Sequence, residues 1–298
     1  MVLAPSRDPD HCRRPAAEPL SANTTQTKPR VDAAIGGIAG LGSGLLGVGG
    51  GFLIVPLQIL WTKTNPRRAS GTSLAAIIPI ALVGSAAYYF GRVPGQVDLA
   101  IAFFLVVGST VGAYAGARAV NRVPERALMI VVSVLLLLVG LDEILSGVFA
   151  KVFLAGHYSA PTELHSWQYA LIVLCGLLIG MLSGITGVGG GIFLVPTLVI
   201  GFGLSHHLAQ GTSLVAILPT AVVGAITHFR QGHVDLRAAA WIGVAGIPTT
   251  IAGAALALSL PQAVLAVLFG VLLLLAATRM WPRRKPLALD SPDERATD

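Results

Sequence analysis

The residues best suited to chemistry in this 298-residue chain are two runs of three glycines and two pairs of hydroxyls. Val48-Gly49-Gly50-Gly51 recurs as Val188-Gly189-Gly190-Gly191, and Gly71-Thr72-Ser73-Leu74 recurs as Gly211-Thr212-Ser213-Leu214, both at an offset of 140. A glycine run bares backbone N–H groups and takes positive φ without steric cost. Where such a run opens into a helix, free N–H groups and the positive dipole end suit a small oxyanion. The hydroxyls, read as lying at helix starts, either cap those helices or donate to the same anion; both readings stay open. The candidate substrate-binding set is therefore Gly49, Gly50, Gly51, Thr72 and Ser73 with Gly189, Gly190, Gly191, Thr212 and Ser213. Gly44, Gly47 and Pro56, with Gly184, Gly187 and Pro196, are candidates that shape or gate the turns. Ser43 and Ser183 are weaker candidates of the hydroxyl kind.

Other chemistries find little support. Gly42 to Gly47 reads GSGLLG, but no acidic residue occurs from Ala33 to Val97, and a dinucleotide fold wants one about 20 residues on. No P-loop lysine motif appears. His206, His207, His228 and His233 lack cysteine or carboxylate partners at metal-ligand spacing, so they are read as loop or interface residues, with His228 placed to titrate near neutrality. Asp142 and Glu143 end an apolar span, and Asp98 and Asp235 start helices, where a carboxylate complements the dipole. No nucleophile–base pair falls in an apolar stretch. An enzyme, a cofactor and a metal are not expected.

The elements that must position these residues follow from composition. Charged residues make up 11%, apolar residues 54%, and the mean hydropathy is +0.76. Soluble domains carry about 25% charge, so the expected class is an all-α polytopic membrane protein in a lipid bilayer. The net charge of +6 sits in loops and tails and is no nucleic-acid signal. Apolar segments fall near 31–61, 70–90, 99–119, 126–148, 166–203, 209–229, 236–258 and 262–281, and the first and fifth are too long for one crossing. Residues 1–30 and 282–298 read as disordered tails, 31–148 as a first membrane repeat, 149–165 as a connecting loop and 166–281 as a second repeat. Gly44–Pro56 and Gly184–Pro196 agree at eight of thirteen positions, and after a three-residue deletion Val97-Asp98-Leu99 meets Val234-Asp235-Leu236.

Charge placement chooses between parallel and inverted repeats. If both long segments turn back at their glycines, 18 of the 20 Lys and Arg residues fall on one side, leaving Arg92 and Lys151 opposite. The positive-inside rule then makes the repeats inverted, each a glycine-broken turn-back segment followed by three transmembrane helices, with both termini cytoplasmic. Backbone that turns inside a bilayer survives only when buried in protein or lining a cavity, which is the reason for the glycines. Gly36, Gly40, Gly108, Gly112 and Gly116, at spacings of four, are assigned instead to close helix packing.

The paired G-x-x-G-V-G-G-G-x-x-x-V-P and G-T-S-L units resemble the TauE/SafE family of sulfite exporter-like membrane transporters, over roughly residues 31–281. The resemblance implies a two-repeat permease in the cell membrane that moves sulfite, organosulfonates or related sulfur-containing or organic anions, with export favoured by the basic cytoplasmic face. Family motifs fall on Gly44, Gly47, Gly49–Gly51 and Pro56 and on Gly184, Gly187, Gly189–Gly191 and Pro196. Uniport, anion–proton symport and exchange are all compatible with the sequence, as are an anion channel and a membrane scaffold.

Overall fold

The computed structural model describes residues 28–91, 95–119 and 166–280, with short helical pieces between 133 and 145. Most of segment 126–148, the loop 149–165, Asp142, Glu143 and almost all of both tails lie outside the described residues. All regular structure among the described residues is helical. In chain order the helices are α1 (Pro29–Leu46), α2 (Gly51–Leu57), α3 (Pro66–Phe90), α4 (Leu99–Ala119), α5 (Ser166–Thr186), α6 (Gly191–Pro196), α7 (His206–Arg230), α8 (Leu236–Ser259) and α9 (Gln262–Met280). Five of them, α3, α4, α5, α7 and α8, are long and apolar enough to cross a membrane.

Local chemistry sets the breaks. Pro29 opens α1 at its first position, where its missing N–H costs nothing. Gly47, at φ 69°, closes α1 in the left-handed region and donates its N–H to Ser43 O. Pro56 and Pro196 sit inside short helices and lack the N–H that would continue the ladder. In both cases the chain then widens into a π turn, Gln58–Thr62 after α2 and Thr197–Gly201 after α6.

The helices pair through rows of small residues. A methyl group at Gly36, Gly40 or Gly44 of α1 would run into the carbonyls of Ile242, Gly246 or Thr250 of α8. Gly108, Gly112 and Gly116 of α4 press in the same way on Val173, Leu177 and Met181 of α5, and Gly176, Gly180 and Gly184 press back on Leu105, Ser109 and Ala113. Between helices in lipid, such close approach supplies the dispersion contacts that hydrophobic burial supplies in water. Gly44 and Gly184 thus belong to packing rows and not to the turns.

These registers fix directions. Residues 36, 40 and 44 meet 242, 246 and 250 in rising order, so α1 and α8 run parallel. Ile80 reaches Gly246 and Gly84 reaches Thr250, so α3 runs parallel to both. Since α1 and α3 point the same way, α2 and its π turn carry the chain back between them. By the same reasoning α7 runs with α4 and α5: Thr212 meets Asp98, Thr220 meets Ser109 and Gln231 meets Ala117. Against each other, α3 and α7 are antiparallel, with Leu74 at Gly224 and Leu214 at Gly84. At about 1.5 Å per residue, the 18 residues of α1 rise about 27 Å before the turn.

Candidate functional site

Both glycine turns adopt backbone that only glycine takes easily. φ is 69°, 78° and 77° at Gly47, Gly49 and Gly50, and 73°, 84° and 79° at Gly187, Gly189 and Gly190. The turns lie against each other. A Cβ at Gly51 would collide with Val188 O, and one at Gly191 would lie 2.5 Å from Val48 O. Each turn also rests on the opposite half's hydroxyl helix. Gly47 fits against Gln210 of α7, and Gly187 against Ser70 of α3.

The N–H groups beyond each turn are the open valences of the structure. Leu53 and Ile54 donate to Gly50 O, and Phe193 and Leu194 donate to Gly190 O. The N–H groups of Gly49 to Phe52 and of Gly189 to Ile192 meet no acceptor among the described residues, although all eight residues are buried. Buried backbone donors are paired in more than nine cases of ten, and helix starts leave their first N–H groups without intrahelical partners, so two such runs side by side stand out as open donors. Beside them stand Ile77 of α3 and Ile217 of α7, both fully buried. A Cβ at Gly49 would lie 3.2 Å from Ile217 Cγ2, and one at Gly189 would lie 2.9 Å from Ile77 Cδ1. The two isoleucines wall the donors off from water in this conformation.

The hydroxyl motifs are placed differently from the sequence reading. α3 begins at Pro66 and α7 at His206, so Thr72-Ser73 and Thr212-Ser213 lie in the second helical turn and cap neither helix. Ser205 is the cap of α7, where its hydroxyl accepts from Leu208 N–H at 3.3 Å. Thr72 instead accepts the N–H of Asp235 at 3.0 Å, and Thr212 that of Asp98 at 2.9 Å. These threonines moor the starts of α8 and α4, and Gly71 and Gly211 make room for the arriving loops at His233 O and Gln96 O. Ser213 donates to Gly47 O at 2.5 Å and so ties α7 to the first turn. Ser73, Ser43 and Ser183 are fully buried with hydroxyls that find no partner among the described residues. Ser183 lies beside Gly190, whose ideal Cβ would be 3.6 Å from its Oγ.

Several residues that matter here are not evident from the motifs. Tyr88 OH lies 2.9 Å from both Gly44 O and Gln210 Oε1, and His228 Nε2 donates to Gly184 O at 2.9 Å. Positions 88 and 228 share the offset of 140, as do 77 and 217, yet Tyr and His differ in type and an identity comparison passes over them. His207 Nε2 donates to Ala257 O at 3.1 Å. Among the described residues no three His, Cys, Asp or Glu side chains converge to hold a metal. Asp98 and Asp235 cap α4 and α8, accepting from Ile101 N–H and from Arg237 and Ala238 N–H.

A family model described as "Sulfite exporter TauE/SafE" matches residues 1–142 and 172–297. The probable membrane transporter protein YunE of Bacillus subtilis is 28% identical over 230 residues, covering 70% of this chain and 83% of that protein. Probable membrane transporter proteins of two Xylella fastidiosa strains are similar: 9a5c, 29% identical over 220 residues (71% and 78% of the two chains), and Temecula1, 28% over 251 residues (81% and 90%). No solved structure matches the chain.

Proposed function

The chain belongs to the sulfite exporter TauE/SafE family of multi-pass membrane proteins, and from that membership we propose that it is a secondary transporter of a small oxyanion. The observation that carries this reading is the pair of buried, acceptorless N–H runs at Gly49–Phe52 and Gly189–Ile192. Each unsatisfied buried donor costs about 1–3 kcal/mol, and an anion seated between the turns offsets several such costs at once. A sulfite, organosulfonate or short carboxylate has the acceptor count and size for this. Ser73, Ser43 and Ser183 add unpartnered hydroxyls, whereas Thr72 and Thr212 act as moorings.

We read the two halves as inverted repeats. The antiparallel α3–α7 pair and the reciprocal contacts of Gly51 with Val188 and Gly191 with Val48 support this. Both termini then lie in the cytoplasm, the basic side faces inward, and export is the favoured direction across the cell membrane. Loading and release require Ile77 and Ile217 to withdraw on one side at a time, as alternating access demands. A continuously open channel fits poorly with two fully buried isoleucines at that point.

The test is thermal unfolding of detergent-purified protein with sulfite, sulfate, thiosulfate, sulfoacetate, taurine and short carboxylates, and with chloride at matched ionic strength. A ligand that binds only the folded state raises Tm as its concentration passes Kd. A selective rise, diminished in Ser73→Ala, is expected. If no anion raises Tm beyond chloride, the anion site is refuted and a scaffold without ligand becomes the better account.

A further inference from the structure

A second buried polar feature lies at the start of α1, away from the glycine turns. The packing row Gly36, Gly40, Gly44 extends one turn back to Asp32, and its register against Ile242, Gly246 and Thr250 places Asp32 across from Ala238 in the first turn of α8. Asp32 is 2% exposed, and its Oδ2 finds no partner among the described residues. The contacts at that end serve Asp235, and Arg68 Nε and His233 Nδ1 are themselves buried without a partner among the described residues. Asp235 Oδ1 receives the N–H groups of Arg237 and Ala238, both at 3.1 Å, and Asp235 Oδ2 pairs with Arg68 at 3.3 Å. His233 is partly buried nearby, its carbonyl held at Gly71. Arg30, Lys63, Arg67 and Arg237 at the same end are exposed, where water screens their charges.

The other packing row is the control that makes Asp32 conspicuous. The position 140 residues on is Ile172 in α5, and its register partner in α4 is Ile101; both are fully or almost fully buried. Helix packing at this place takes an isoleucine pair. A carboxyl put there instead is costly and, in transport proteins, characteristically functional.

We propose that Asp32 is a proton-binding carboxyl whose protonation is coupled to the transport cycle, an inference that rests on the transporter reading. A proton fits where a metal ion does not. Both oxygens of Asp235 are engaged and Arg68 already neutralises it, so a cation would find one carboxylate where about six oxygens are wanted. Protonation instead leaves the Asp32–Asp235–Arg68 group neutral and lets α1 seat against α8. Deprotonation leaves a buried charge that favours loosening of α1, the helix that carries the first glycine turn.

Infrared spectroscopy of the purified, lipid-reconstituted chain tests the site without any substrate. At neutral pH the wild type should show a carboxylic-acid C=O band that is lost in Asp32→Asn and kept in Asp98→Asn. Asp32→Glu, which retains the acid, should move the band. Absence of the band in the wild type, or its persistence unmoved in both Asp32 variants, overturns the proposal. Coupling is tested by labelled sulfoacetate flux in proteoliposomes: an imposed proton gradient should accelerate wild-type flux and leave Asp32→Asn flux unchanged. Wild-type flux that ignores the gradient refutes coupling. No wild-type flux at all counts against sulfoacetate as substrate, and the infrared band still decides the proton site.

Discussion

Replacing Gly51 and Gly191 by alanine, singly and together, tests whether the two glycine turns meet backbone to backbone. At Gly191 the new methyl would lie 2.5 Å from Val48 O, about 0.9 Å inside the 3.4 Å at which ordinary contact begins, and at Gly51 it would be closer still to Val188 O. A backbone carbonyl cannot rotate away as a side chain can, so the turns must separate. Overpacking of this kind costs about 1–3 kcal/mol, and each single variant is expected toward the upper end, near 3 kcal/mol. Once one methyl has parted the turns, the second meets less resistance. The double variant should therefore lose clearly less than the sum of the singles, a coupling of roughly 1 kcal/mol or more. Gly37→Ala is the control, because its methyl would meet only Thr249 Cγ2, at 3.9 Å, and alanine gains helix propensity. Reversible unfolding in mixed micelles measures all four. Additive losses in the double variant, or a Gly51→Ala protein as stable as Gly37→Ala, would refute back-to-back packing of the turns.

Tyr88→Phe removes the hydroxyl that serves Gly44 O and Gln210 Oε1, both buried, and should cost about 1–3 kcal/mol by the same unfolding measurement. Ile77→Val and Ile217→Val each trim a fully buried wall residue, cost about 0.5–1.5 kcal/mol, and should raise flux of bulkier sulfonates relative to sulfite in proteoliposomes. Gly50→Leu combines φ 77° with a Cβ 2.8 Å from Ala39 O, so it should fall in folded yield after membrane extraction before any transport defect can be read.

The turns were legible because their signal is repetition. Eight identical positions in thirteen, each run ending in a proline, identify backbone that must break the helix wherever it lies. The packing glycines were legible for the same reason of spacing. The hydroxyl motifs mislead because the sequence marks a helix start only where apolar residues resume. The structure starts α3 and α7 earlier, after Asn65 and Ser205, with a polar, largely exposed turn ahead of the apolar face in α3 and a buried His206 opening α7. That shift of one turn moves Thr72 and Thr212 from caps to inter-half moorings. The role of Tyr88, and that of His228 beyond its reading as a loop or interface residue, stay hidden because both bond a main-chain carbonyl, a task that any side-chain donor of the right reach performs and that leaves no identity to match. Asp32 carries no comparable sequence signal, because a carboxylate in a first helical turn is ordinarily explained by the dipole.

The pairing of α1 with α8 has a consequence for how the chain is made. Some 190 residues of synthesis separate the end of α1 at Leu46 from the start of α8 at Leu236. At about 5–20 residues per second, the glycine face of α1 waits on the order of ten to forty seconds for its partner to leave the ribosome. Through that interval a helix with a carboxyl near its start and a backbone-baring run at its end has only the lighter packing of α2 and α3 for company. Biogenesis must hold it, at the translocon or against an insertase, until the penultimate described helix arrives.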